Sequence, residues 1–128
     1  MPSSARSTVR PWTGKLAGVA HLSLHAPPVT DQYITVFAAL SEPVRIRMLR
    51  MMLAAEGDLA CTALDKTLPI AKSTISYHVQ ILRRAGLITV RKAGRNYFYQ
   101  LRRDAFETFA PGFLEHLADI EEDALVAA

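Results

Sequence analysis

The chain has 128 residues, half of them apolar, so it is long and apolar enough for one folded domain and is not composed like a disordered segment. Its single cysteine, Cys61, excludes an intramolecular disulfide and favours a reducing, intracellular setting. No apolar run approaches the roughly 18 residues that a membrane-spanning helix needs, so we expect a cytoplasmic protein with no membrane partner.

Basic and acidic residues are sorted along the chain rather than mixed. Residues 72–103 contain eight Lys or Arg and no Asp or Glu, whereas residues 104–128 contain seven acidic residues and no Lys or Arg. A solvated surface usually carries both signs, so the distribution is more informative than the net charge of +3. It predicts a surface that binds a polyanion.

The N-terminal third of the chain predicts an arm followed by two helices. Residues 1–30 are rich in proline and form a largely irregular arm, with a short helix near residues 16–24. Apolar residues at helical spacing predict a first helix over residues 31–40. Pro43 begins a second helix that Gly57 ends. The apolar face of this second helix comprises Val44, Ile46, Leu49, Met52 and Leu53. Three basic residues are expected to lie off that face: Arg45, Arg47 and Arg50.

Two short helices joined by a tight turn come next. The first covers about residues 61–68, with Leu64 and Leu68 facing inward, and ends before Pro69. The second covers about residues 72–85 and ends at Gly86, with Ser73 as its candidate cap. Its apolar stripe comprises Ile75, Val79 and Leu82. His78 borders that stripe and is interpreted as a packed, hydrogen-bonded histidine.

The segment "LITVRKAGRNYFYQL" predicts a β-hairpin, because β-formers flank the turn residues "AGRN". Asp104 is the candidate cap of a last helix that Pro111 kinks or divides. The large apolar residues of that helix exceed what one small domain is expected to cover, so they predict a homodimer. These residues are Phe106, Phe109, Phe113, Leu114, Leu117 and Ile120.

This order of elements describes a winged helix-turn-helix, a mainly α fold with a small β-hairpin wing. We divide the chain into an arm (residues 1–30), the winged helix-turn-helix domain (residues 31–103) and a dimerisation helix (residues 104–128). The homodimer is expected to form through the terminal helices. In such folds the second helix of the pair lies in the major groove of DNA.

Two stretches, "FAALSEPVRIRMLRMM" and "STISYHVQILRRAGLITVRKAGRNYFYQL", resemble the ArsR/SmtB family of bacterial winged-helix repressors, over about residues 35–101. The resemblance implies a homodimer that binds a partly palindromic operator in double-stranded DNA and represses transcription. It also implies release by a metal ion, an oxidant or another signal. Metal sensors of the family carry a C-x-C step, but here Ala60 and Thr62 stand on either side of Cys61, so no metal site or cofactor is carried over.

The predicted DNA-binding residues lie on the outer face of the second short helix and around the turn of the hairpin. Hydroxyl, amide and basic side chains suit base edges and phosphates, and a basic hairpin tip suits the minor groove. The predicted set is Lys72, Ser73, Thr74, Ser76, Tyr77, Gln80, Arg84, Arg91, Lys92 and Arg95.

Alternatives to a plain repressor concern the signal. One is a metal- or redox-responsive repressor that uses Cys61 or histidines such as His21, His25 and His116. Another is a DNA-binding subunit that depends on a small effector or a partner protein for sensing. No phosphate-binding loop, nucleotide-binding glycine pattern or H-E-x-x-H motif occurs in the sequence, so we do not predict an enzyme.

Overall fold

The computed structural model describes residues 28–120. Most of the predicted arm, including its short helix, His21 and His25, lies outside the described residues, as do residues 121–128. In chain order the elements are α1 (Pro28–Ala39), α2 (Pro43–Ala54), β1 (Leu59–Ala60), α3 (Cys61–Thr67), α4 (Lys72–Arg84), β2 (Ile88–Ala93), β3 (Asn96–Leu101), α5 (Arg103–Phe109) and α6 (Phe113–Asp119). None of the helices within residues 28–120 is long and apolar enough to cross a membrane.

Helix α2 begins as predicted, with Pro43 in its first turn. The side chain of Glu42 caps it, because its Oε2 accepts a hydrogen bond of 3.0 Å from the backbone N–H of Arg45. The buried face differs from the predicted one. It comprises Arg45, Met48, Leu49 and Met52, whereas Val44, Ile46 and Leu53 are only half-buried. The prediction that Arg45 lies off this face is wrong, because its guanidinium has polar partners inside the fold.

Helices α3 and α4 form the predicted helix-turn-helix, with Leu64 and Leu68 buried. Helix α4 begins at Lys72, and Ala71 occupies its N-cap position without a side-chain hydrogen bond. The prediction that Ser73 caps this helix is wrong. The carbonyl of Ala71 already accepts the N–H groups of Thr74 and Ile75 at 3.0 Å, so the helix has started before Ser73.

Gly86 terminates helix α4, as predicted, and follows its C-cap residue Ala85. Gly86 has a φ of 78°, a left-handed conformation that glycine adopts without strain. The N–H of Gly86 donates to the carbonyl of Arg83 at 2.9 Å, and the N–H of Leu87 donates to the carbonyl of Leu82 at 3.1 Å. This pair of bonds is a Schellman motif, and the burial of both leucines completes it. The motif directs the chain from α4 into the wing.

The wing is the predicted hairpin of β2 and β3, which pair antiparallel from Ile88–Leu101 to Ala93–Asn96. A third strand was not predicted: β1 pairs with β3, giving the strand order β1-β3-β2. Two residues are too few to show an alternating pattern in the sequence. The extra strand anchors β3 to the start of α3, where Leu59 is opposite Tyr99.

The last predicted helix is divided into α5 and α6 around Pro111, as expected. Its predicted cap is wrong, because Arg102 occupies the N-cap position and Asp104 lies in the first turn. There the carboxylate of Asp104 accepts a hydrogen bond of 2.9 Å from the Nη2 of Arg102.

The apolar residues of the last predicted helix are more buried within one chain than we predicted. Phe106, Leu114 and Leu117 are buried in the core, and the remaining three are half-buried. Large apolar side chains are exposed instead on α1, where Ile34 is 61% and Phe37 is 53% exposed. Within residues 28–120, the exposed large aliphatic and phenylalanine side chains therefore lie on α1 rather than on α5 or α6.

Candidate nucleic-acid interface

Helix α4 separates into a buried face and an exposed face. Ile75, Val79 and Leu82 are buried in the core, as predicted. The polar residues on the other side are all exposed: Lys72, Ser73, Thr74, Ser76, Tyr77, Gln80 and Arg84. The exposed face thus offers hydroxyl, amide and basic groups and no acidic side chain, a composition that suits base edges and phosphates.

Tyr77 is the largest exposed group on this face, with 61% of its surface accessible. Its ring contacts the ring of the buried His78 edge to face, with the ring centroids 5.4 Å apart. His78 is 7% exposed and hydrogen-bonded, as the sequence predicted. The Tyr77 ring is therefore accessible and contacts a buried side chain along one edge.

Basic residues of the wing are exposed, but they are not equivalent. Arg91 forms an ion pair with Asp58, and its guanidinium carbon lies 4.9 Å from the centre of the Phe98 ring. Lys92 lies with its Nζ 5.8 Å from the centre of the Tyr97 ring. Arg95 is exposed in the turn, next to Gly94 with a φ of 63°. Two of the three cations thus lie along the hairpin, and the third occupies its tip.

All ten residues of the predicted set are exposed, and two elements carry them. Seven lie on α4 and three on or between β2 and β3. Helix α4 packs against β2, so the exposed face of α4 and the wing belong to one packed unit.

Comparison with known proteins agrees with this architecture. A helix-turn-helix domain model matches residues 40–91. The chain is 40% identical over 82 residues to the uncharacterized HTH-type transcriptional regulator YceK of Bacillus subtilis, covering 64% of this chain and 82% of YceK. It is 31% identical over 71 residues to the transcriptional repressor SmtB homolog of Synechocystis sp., covering 56% and 52% of the two chains.

The structure is similar to that of HlyU from Vibrio cholerae, with a TM-score of 0.59 and 26% identity over 72% of this chain and 94% of HlyU. The chain belongs to the ArsR/SmtB family. Its fold is a winged helix-turn-helix, and it is a DNA-binding transcriptional regulator. The relatives that the chain matches are themselves named as regulators of transcription.

The ArsR/SmtB regulator does not show a clustered metal site within residues 28–120, where no three His, Cys, Asp or Glu side chains come close enough to share an ion. Cys61 is a half-buried free thiol at the start of α3. It lies close enough to the hydroxyl of Tyr99 to contribute, after burial, to raising the pKa of that group to about 12.

Sequence reasoning missed one polar element of the regulator, the buried Arg45. Its guanidinium makes hydrogen bonds to the end of α1 and to His78 on α4. Apolar spacing alone predicts that an arginine at this position faces solvent. The available signal was His78: a histidine beside an apolar stripe needs a buried hydrogen-bond partner.

Proposed function

We propose that this regulator is a repressor that binds a partly palindromic operator as a homodimer. In this proposal α4 enters the major groove and reads base edges through Ser76, Tyr77 and Gln80. The start of α4 and the wing then contact phosphates and the adjoining minor groove. Because the target is chromosomal DNA, we expect the protein in the cytoplasm.

The observation that carries the proposal is the exposed face of α4. It combines an accessible aromatic ring, small hydroxyls and basic ends with a complete absence of carboxylates, on a helix whose other face is in the core. A phosphate backbone repels acidic side chains, so a face of this composition suits DNA better than it suits most protein partners. The SmtB homolog, named a repressor, supports the direction of regulation.

The homodimer is supported by the exposed apolar surface of α1. Tyr33, Ile34 and Phe37 are exposed there, and the ring of Tyr33 lies against Phe109 of α5, with centroids 5.0 Å apart. A monomer that leaves such residues in water loses the free energy of their burial. Two copies related by a two-fold axis would match two half-sites of a palindrome.

We infer that a small effector or a partner protein supplies the signal that releases DNA. Cys61 lacks a second thiol in its own chain, so a redox signal would need a disulfide between two copies or a modification of the single thiol.

The test is selection of duplexes from a random DNA library with the purified full chain, followed by sequencing. We expect an enriched, partly palindromic motif whose half-sites lie about one helical turn apart. Fluorescence anisotropy on that duplex and on a scrambled one then gives the affinity ratio. Absence of any enriched motif, with binding that depends only on salt, would contradict the proposal.

A further inference from the structure

Two nitrogen-bearing ionisable side chains are buried in the described part of the chain, and they contact each other. Arg45 on α2 is 8% exposed and His78 on α4 is 7% exposed. The distance between Nη1 of Arg45 and Nδ1 of His78 is 3.0 Å. A buried charge is costly unless its donors are satisfied, so the position of this guanidinium requires a structural reason.

The first reason is the C-terminal end of α1. Nε of Arg45 donates to the carbonyl of Ala39 at 2.7 Å, and Nη2 donates to the carbonyl of Ala38 at 3.3 Å. The last carbonyls of a helix have no partner within the helix, and a cation is favoured at that end. Arg45 thereby joins the start of α2 to the end of α1.

The second reason is α4. An arginine can only donate, so a hydrogen bond between these two atoms requires Nδ1 of His78 to accept, with the ring neutral and its hydrogen on Nε2. Burial lowers the pKa of His78, and the positive charge of Arg45 lowers it further. Glu42, whose Oε2 lies 3.7 Å from Nδ1, acts in the opposite direction. These two residues are the charged neighbours that act on the ring from the adjoining elements.

The direction of this hydrogen bond matters for how α4 sits. Apolar packing of Ile75, Val79 and Leu82 is non-directional and holds the helix against the core without fixing its rotation sharply. A hydrogen bond between a guanidinium and a ring nitrogen has a narrow range of distance and angle. His78 is adjacent to Tyr77 and contacts its ring, so a change in the position of the His78 ring would change what the Tyr77 ring packs against.

We propose that Arg45 is a positioning residue for DNA reading: by bonding the end of α1 and Nδ1 of His78 together, it fixes the rotation of α4 and the direction of Tyr77. This inference rests on the proposed function, since it assigns a role in reading the operator. It also connects α1, the surface we propose for the second copy, to the helix that reads DNA. Arg45 itself is buried and does not touch DNA in this proposal.

The experiment compares operator and scrambled duplexes by fluorescence anisotropy for four variants of the full chain. Arg45→Met keeps the apolar stem and removes the donors. His78→Leu removes the acceptor. His78→Asn places an amide oxygen near the site of Nδ1 and keeps an acceptor that does not titrate. Met52→Ala is the matched control, because it opens a cavity in the buried face of the same helix, about two turns from Arg45.

We expect Arg45→Met and His78→Leu to lower the operator-to-scrambled affinity ratio about tenfold, comparable to losing one base contact. His78→Asn should restore most of that ratio, and Met52→Ala should lower the melting temperature while leaving the ratio unchanged. Wild-type operator affinity should fall only when the pH drops below the lowered pKa of His78, which lies under the ordinary histidine value of about 6.5, and His78→Asn should flatten that fall. A purely structural role would lower the ratio in step with the melting temperature, and this result would overturn the inference.

A measurement on the wild-type chain covers the case in which variants at position 45 do not fold. The ¹⁵N chemical shifts of the His78 ring report which nitrogen carries the hydrogen. We expect a neutral ring with its hydrogen on Nε2 at neutral pH. A hydrogen on Nδ1 would mean that Arg45 does not donate to it and would refute the inference. If the wild type shows no operator preference at all, the proposed function fails, whereas a preference unaffected by the variants defeats only the role of Arg45.

Discussion

Arg91 reaches across the wing to pair with Asp58, passing over the ring of Phe98 on the central strand. The pair joins β2, at one edge of the sheet, to the residue that precedes β1 at the other edge. The side chains are 58% and 37% exposed, so the contact is open to solvent. A cation proposed to bind phosphate therefore already has an acidic partner in the free protein.

Replacing Asp58 with Asn should strengthen DNA binding. Arg91 would no longer have to leave the carboxylate of Asp58 before it binds a phosphate. The duplex would also no longer be repelled by a carboxylate near the wing. We expect a gain of about 0.2–1 kcal/mol on operator and scrambled duplexes alike, the range for exposed ion pairs. Asp104→Asn is the control, since it breaks the exposed pair with Arg102 and changes the net charge equally. Equal gains from both variants would show that only net charge matters.

Truncating Tyr77 to Ala should weaken operator binding by about 1–3 kcal/mol and affect scrambled DNA much less. The ring is accessible and contacts the ring of His78, so it is available for contact with base edges. Tyr77→Phe separates the hydroxyl from the ring and serves as the companion variant. Fluorescence anisotropy on both duplexes is the measurement. Equal losses on the two duplexes would mean that α4 only positions the protein.

Arg95→Ala should weaken binding to both duplexes, because Arg95 lies at the tip of the wing, where phosphates are its expected partners. Each lost phosphate contact should lower the slope of log affinity against log salt by about 0.9. Titrations at several salt concentrations give that slope. If the slope stays constant while affinity falls, Arg95 acts on the conformation of the hairpin rather than on phosphate.

Light scattering should report about twice the mass of the 14.1 kDa chain. Phe37→Glu should shift the protein to monomer, because it places a charge in the exposed apolar surface of α1. Thr35→Glu adds the same charge to the same helix, beside that surface. It should leave a larger fraction of the protein dimeric than Phe37→Glu does. A wild-type chain that is monomeric at micromolar concentration would remove the two-half-site arrangement.

Alkaline pH should destabilise the fold through Tyr99. Burial is the main reason that its pKa is raised to about 12. An unfolded tyrosine ionises near pH 10, so its contribution is complete below that pH and is lost as the pH rises to about 12. We expect the loss to be about 2 kcal/mol in the free energy of unfolding by urea. Tyr99→Phe should remove this loss, whereas Tyr97→Phe, at an exposed position, should keep it.

Most of the fold could be predicted because the apolar spacing and the turn residues agree along the chain. The stripe of Ile75, Val79 and Leu82, the stop at Gly86 and the break at Pro111 are each a local signal, and each is confirmed. Strand β1 carries no comparable signal, because a two-residue strand exists only through its partner β3. A local sequence pattern does not predict such a strand, because it forms only by pairing with residues that are distant in the sequence.

The exposed residues of the candidate interface could also be predicted, since polar positions opposite an apolar stripe face outward. The burial of Arg45 does not follow from helical spacing, because an arginine is normally assigned to the solvent side of a helix. Its burial depends on two carbonyls at the end of α1 and a ring nitrogen on α4, three acceptors that only the tertiary structure brings together. The same holds for Arg91, whose acidic partner is 33 residues away.

Helix α4 starts at Ala71 and Lys72 without a side chain to accept its first amide hydrogens. A Ser, Thr, Asp or Asn in that cap position would stabilise the helix by about 1 kcal/mol. An anion brought to this end supplies the acceptor that the sequence omits. Stabilisation gained in the bound state alone adds to affinity by linkage, whereas a built-in cap would have contributed equally with and without DNA. The free protein lacks the stabilisation that a side-chain cap would give, and in the proposed complex a phosphate at this position would supply it.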